Sequence, residues 1–226
     1  ITGGYSINAD DLLIDGDIDG DGQSDITLQS DATNHRFFSL EGTANLTFNH
    51  LNVIDFDSGS GGGVFSLSGG SLTLEYCHFN NNQTSNEGGV INLSIADLTI
   101  RNSIFSNNSS GQSGGVISQV SFNSSKRTVI ENSLFYGNST GEFRNGGAIY
   151  TDFITNYTLR HVTFHSNSAG FGGAIQNGGT MAVENCLFTA NTTDFSGKNI
   201  NGGYSNAGGN ILGGEGSFSD NPADYY

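Results

Sequence analysis

The chain repeats itself, and the repeat limits what it can fold into. Six Gly-Gly pairs are each followed by two further residues of a recurring kind: GGVF (62–65), GGVI (88–91), GGVI (114–117), GGAI (146–149), GGAI (172–175) and GGNI (208–211). The steps between them are 26, 26, 32, 26 and 36 residues. Interleaved is a second motif, Phe-x-x-Asn: FNNN (79–82), FSNN (105–108), FYGN (135–138), FHSN (164–167) and FTAN (188–191). A degenerate earlier copy has Val53 in the Phe slot and Phe56 in the Asn slot. Units of this length cannot bury an apolar face alone, so they stack on one another.

Each Phe slot closes an alternating run: LTFNHLNV, LTLEYCHF, LTIRNSIF, TVIENSLF, YTLRHVTF and MAVENCLF. Five residues before the slot stand Phe48, Leu74, Ile100, Ile130, Leu159 and Val183, all apolar. Four before it stand Asn49, Glu75, Arg101, Glu131, Arg160 and Glu184. Period-two alternation with one apolar face predicts half-buried strands. Alternating Glu and Arg make sense if each copy lies directly above the last, so that opposite charges become neighbours outside a sheet.

Strands, no helical period and glycine at the corners predict an all-β fold, a right-handed parallel β-helix of roughly eight coils. Each coil then adds about 4.8 Å of rise, for a rod about 40 Å long. The Gly-Gly pairs fit corners where positive φ or close backbone approach excludes a Cβ. The Phe column stacks inside the rod. Two Asn columns, one with Asn102, Asn132 and Asn185, the other with Asn82, Asn108, Asn138, Asn167 and Asn191, are expected to bond between coils as Asn ladders. Cys77 and Cys186 stand two residues before the Phe slot with Ser103, Ser133 and Val162 between them in the column. Four coils put them about 19 Å apart, beyond the ~7 Å Cα limit of a disulfide.

The Gly-Gly tetrads and Phe-x-x-Asn together resemble the repeats of the chlamydial polymorphic outer-membrane proteins, over residues 46–211. The chain also looks like the wider class of secreted bacterial β-helix repeat proteins with a pectate-lyase-like fold. In that class an acidic stretch like DGDIDGDGQSD (15–25) precedes the repeats, and a segment comparable to NILGGEGSFSDNPADYY (210–226) follows them. The resemblance implies an adhesin or other surface protein. Three regions follow: N-terminal coils with the acidic loop (1–45), β-helix repeats (46–211) and a C-terminal segment (212–226) that continues into a missing region.

Charge removes some functions. The net charge is −15, with seven Lys and Arg in 226 residues, which argues against nucleic-acid partners and anionic lipid. No segment approaches the ~18 apolar residues of a membrane span, so membrane insertion is not expected. The chain starts at Ile1 without an initiator Met or signal peptide and reads as a piece of a longer secreted, extracellular or cell-surface protein.

The acidic stretch, aligned from Asp17, reads D-x-D-x-D-G-x-x-D. Side-chain oxygens of Asp17, Asp19, Asp21 and Asp25, a turn glycine at Gly22 and the carbonyl of Gln23 form a calcium-loop pattern. Position 12 is Leu28 and not Glu, so this is not a complete EF-hand. The flanks LLI and ITL read as strands, as in hairpin-borne calcium loops. A register from Asp15, with Gly20 at position 6 and Gln23 at 9, stays open, as does an ion-free acidic turn.

No enzymatic constellation stands out. Hydrolases of this fold need a carboxylate pair and lyases a basic proton acceptor, but most Glu and Arg are absorbed by the outer column. The best patch combines Arg160, His161 and Asp152. His50, Tyr76 and His161 share a column and read as corner residues; His78 and His165 lie beside the Phe slot in different coils. The expectation is a non-enzymatic protein. Coil-lengthening segments at 118–126, 139–145 and 192–207 are the places for binding, with Phe143, Phe195 and Tyr204 available to stack on a glycan or a host or cell-surface protein. Two alternatives are a self-associating filament or spacer joined through the β-helix ends and a polysaccharide-active enzyme.

Overall fold

The computed structural model describes residues 5–7, 11–31, 35–120 and 125–213. Among them there is no helix. Three eight-stranded sheets and one six-stranded sheet run side by side, each built from every fourth strand or nearly so. Pairing is parallel throughout, coil on coil. One coil shows the plan: Phe65–Leu67 in sheet A, Ser71–Glu75 in sheet B, His78–Asn80 in sheet C and Gln83–Thr84 in sheet D. The next coil repeats it from Ile91–Leu93. The chain is a parallel β-helix, with close to the number of coils that the repeat predicts.

Three corners of each coil turn through the left-handed region. Between sheets B and C this residue is His50, Tyr76, Asn102, Asn132, His161 or Asn185, with φ of 48–53°. Asn tolerates that conformation and His is also enriched in it, which explains their recurrence, whereas the bulkier Tyr76 carries strain there. The Asn102 column is therefore an outer corner and not a second ladder: Asn132 and Asn185 are exposed. Between sheets C and D the left-handed residues are Asp55, Asn81, Asn107, Gly137, Ser166 and Ala190. Between sheets D and A the first glycine of each pair turns, as at Gly88 with φ of 70°. The second has a different reason: a Cβ on Gly89 would collide with the Gly115 carbonyl of the next coil. One glycine is needed for its conformation and the other for close approach.

Inside, Phe79, Phe105, Phe135, Phe164 and Phe188 stack with ring centroids 4.9–5.0 Å apart. Beside them, Asn82, Asn108, Asn138, Asn167 and Asn191 form a buried ladder. The amide nitrogens of Asn82, Asn108, Asn138 and Asn167 each donate to the next side-chain oxygen at 3.0 Å, that of Asn191 donates to Asn199 Oδ1 at 3.2 Å, and all five donate to the carbonyl of the Phe slot one coil back, as Asn108 does to Phe79 at 3.0 Å. Each side-chain oxygen also accepts a backbone N–H, as Asn108 does from Asn82. No donor or acceptor of such an amide is left unpaired in the interior. Outside, the predicted charges join: Arg101 lies 3.1 Å from both Glu75 and Glu131, and Arg160 lies 3.3 Å from Glu131 and 3.0 Å from Glu184.

The sixth Gly-Gly copy is misassigned by spacing. Ile200, not Ile211, stands above Ile175 in sheet A. Ile211 pairs with Leu187 in sheet C. The true corner is Gly197-Lys198-Asn199-Ile200, which has lost its second glycine; GGNI at 208–211 lies at the B–C corner. Residues 192–207 are accordingly most of a regular coil and not a long excursion, and Tyr204 packs partly against the core. Of the C-terminal segment 212–226, only Leu212 and Gly213 are among the described residues.

Candidate functional site

The acidic loop occupies a corner. Leu12–Asp15 pairs with sheet B at Leu46–Asn49, and Ile26–Gln29 pairs with sheet C at Leu51–Ile54. The flanking strands thus belong to two sheets and do not form a hairpin with each other. Residues 16–25 stand where later coils have one left-handed residue. The Asp25 N–H donates to the Gly16 carbonyl at 2.9 Å and closes the loop's base. The next coil holds it: Ser24 Oγ donates to the His50 carbonyl at 2.7 Å, and Asn49 Nδ2 donates to Asp15 Oδ2 at 3.0 Å. The backbone N–H of Asp17 and the Asn49 amide hold the Asp15 carboxyl below its usual range. Asp15 is exposed in the outer column of sheet B, bonded to Asn49 of the next coil.

Within the loop, Asp17 accepts from the N–H groups of Gly20 at 2.7 Å and Gly22 at 2.9 Å. Asp19 accepts from Asp21 N, and Asp21 from Gln23 N at 2.8 Å. Gly20 and Gly22 turn at φ of 80° and 81°. Carboxylate oxygens of Asp17, Asp19 and Asp21 come within 4.8 Å of one another. Asp25 lies outside that group, with Oδ2 on the Ile18 N–H at 2.8 Å. The arrangement brings three carboxylates into the space of one cation, with Asp25 at the loop's exit.

A second feature lies near the D–A corner. Phe143 is 68% and Phe195 51% exposed. Their ring centroids are 5.1 Å apart, and Phe195 lies 4.9 Å from Phe171. Phe171 was not anticipated from sequence, although it directly precedes a Gly-Gly pair. On the same strands a groove of about 200 Å³ is lined by Thr140, Glu142, Ser168, Ala169, Thr192, Thr193 and Asp194, of which Glu142 and Asp194 directly precede Phe143 and Phe195 in the chain.

The catalytic candidates are dispersed or engaged. Arg160 is held by Glu131 and Glu184, and His161 by Asn185 at 3.2 Å. Asp152 bonds its neighbour's N–H and precedes strand Asn156–Arg160, whose far end is Arg160, about 13 Å along. One pair escaped sequence reasoning because its members sit in different coils: His78 Nε2 is 2.8 Å from Ser106 Oγ. That hydroxyl donates to Asn80 Oδ1 at 2.9 Å, so its proton is directed away from the imidazole. Burial lowers the His78 pKa.

Residues 102–119 match the repeat of the Chlamydia polymorphic membrane protein family. This is a β-helix repeat protein resembling those polymorphic membrane proteins. The matched stretch starts at the left-handed Asn102, passes Phe105 and Asn108, and ends beyond Gly114-Gly115 at Gln119. The family's repeat thus corresponds here to three corners of one coil, sheets C and D, and the sheet A strand that follows. No curated protein and no solved structure matches the chain.

Proposed function

We propose that this chain is a non-enzymatic, calcium-holding rod at a bacterial cell surface, serving adhesion or scaffolding. The observation that carries the reading is the coincidence of a membrane-protein repeat with a closed, densely packed coil. Phe, aliphatic side chains and the Asn ladder fill the interior, so ligand chemistry is confined to the outer walls and corners. Solenoids use such walls as extended binding surfaces. The engagement of Arg160 and of the Ser106 hydroxyl by structural partners supports the non-enzymatic part.

Calcium takes six to eight oxygens at about 2.3–2.6 Å. Asp17, Asp19 and Asp21 would supply converging carboxylates, Gln23 its carbonyl and Asp25 a further carboxylate, with water completing the shell. Backbone N–H groups anchor both oxygens of Asp17 and one oxygen each of Asp19, Asp21 and Asp25, which lowers the ordering cost of binding. The ion would relieve repulsion among like charges and lock the first corner onto His50 and Asn49.

Adhesion is tested with beads coated with the purified chain and offered to epithelial cells in millimolar calcium. Retention above albumin-coated beads, reduced by a calcium chelator, is the expected result. Retention equal to albumin contradicts the adhesion reading.

A further inference from the structure

We propose that Phe143, Phe195 and Phe171, with the groove on the same strands, bind a neutral oligosaccharide; this deepens the adhesion reading and rests on it for its biological meaning. The rings are out of place as packing. The Phe column of the interior is fully buried, whereas Phe143 and Phe195 are held outside. The backbone departs from its repeat to hold them there. Phe143 sits at φ of 60°, unfavourable for a bulky side chain. Against Ser168–Phe171, strand Thr192–Ser196 carries one extra residue: Ala169 pairs with Thr193, but Phe171 pairs with Ser196. Such bulges re-aim side chains and gather beside functional sites. Here the bulged pair is Asp194 and Phe195, one lining the groove and the other the middle ring of the row.

Chemistry selects the occupant. A pyranose has an apolar C–H face and a rim of hydroxyls. The negative face of an aromatic ring attracts the first, and Phe143, as an outer ring of the row, keeps a face open. Ser168, Thr192, Glu142 and Asp194 offer donors and acceptors for the second. Two carboxylates in the groove disfavour an anionic sugar. A dry protein interface would leave those carboxylates and hydroxyls desolvated and unpaired, at considerable cost. The groove is smaller than the 300–1,000 Å³ typical of drug-sized ligand sites. That suits one sugar ring in the groove and its neighbour on Phe143.

The probes are maltohexaose, cellohexaose, mannohexaose and xylohexaose, with hexagalacturonate as the anionic control, titrated by NMR against the full chain. At least one neutral hexaose is expected to bind and hexagalacturonate not to. Phe143→Ala and Phe195→Ala should each weaken binding about tenfold or more, as for loss of one stacking ring, with little change in melting temperature. Asp194→Asn should weaken it too while keeping shape. The proposal is overturned if no neutral hexaose binds, if binding survives Phe143→Ala/Phe195→Ala, or if that double variant instead abolishes self-association measured by sedimentation. Beads separate the two readings. Adhesion unchanged in a double variant that leaves glycan titrations unaltered overturns the site alone; glycan binding without adhesion supports the site and contradicts only the adhesion reading.

Discussion

Asn108 shows how much one side chain does here. Its oxygen accepts from Asn82 N and Asn82 Nδ2, and its nitrogen donates to Phe79 O and Asn138 Oδ1. Asn108→Ala removes these in a buried column and leaves partners unsatisfied, at about 1–3 kcal/mol each. A loss of about 3–5 kcal/mol is expected in urea unfolding; less than 1 kcal/mol would mean the ladder is decorative. The ladder was legible because Asn recurs three residues after Phe. The Asn102 column, with Asn at three of its six positions, was misread as a second ladder, since periodicity reports equivalence and not direction. Cys77 and Cys186 follow the same register and are free and buried, with Ser103 Oγ accepting the Cys77 N–H at 3.1 Å. Burial pushes the Cys77 thiol up to about 12 and raises Cys186 as well. Both should resist maleimide in the folded protein near neutral pH and both should react in denaturant without reductant; a single reactive thiol or none would overturn the alignment.

At the scale of elements, sheet B carries the Glu75–Arg101–Glu131–Arg160–Glu184 column. Arg101, and then Arg160, hold the Glu131 carboxyl below its ordinary value of 4.5. A depressed folded pKa stabilises above the ordinary value and ceases to do so as pH falls through the folded one. Wild type should therefore melt above Glu131→Gln at neutral pH, by a small margin worth about 1 kcal/mol or less. That margin should vanish in acid, and a margin that grows in acid would contradict the ion pairs. The acidic loop was legible as a motif, and its strand flanks as strands, but not its seat. Nothing in DGDIDGDGQSD says that the two flanks belong to different sheets, because that follows only from their pairing with Leu46–Asn49 and Leu51–Ile54. Calcium should raise the melting temperature, since a ligand at a hundred times its Kd adds about 2.7 kcal/mol. Asp17→Asn/Asp21→Asn should abolish the rise. Melting unchanged by millimolar calcium, with no heat of binding, would remove the metal from the account.

At the scale of the molecule, the fold was readable because its interior imposes one residue type per position in each coil. Reading failed where a coil kept the geometry but changed the residue. Lys198 replaced the second corner glycine, and a fortuitous Gly208-Gly209 took its place in the count, turning a regular coil into an apparent insertion. The aromatic row was only half legible, because Phe143 and Phe195 lie 52 positions apart in sequence and meet only through stacking of coils. The same stacking places every feature discussed above, so the coil-to-coil register is the central claim. Thr47, Thr73, Thr99, Val129, Thr158 and Ala182 form one outward column of sheet B. Five steps separate its ends, about 24 Å. Spin labels on Thr47→Cys and Ala182→Cys, with Cys77→Ser and Cys186→Val to remove the native thiols, measure that span by pulsed electron paramagnetic resonance. One narrow distribution centred near about 24 Å, widened only by the label linkers, is the predicted result; a broad distribution, or a centre displaced by more than two coils, would contradict the stacked register.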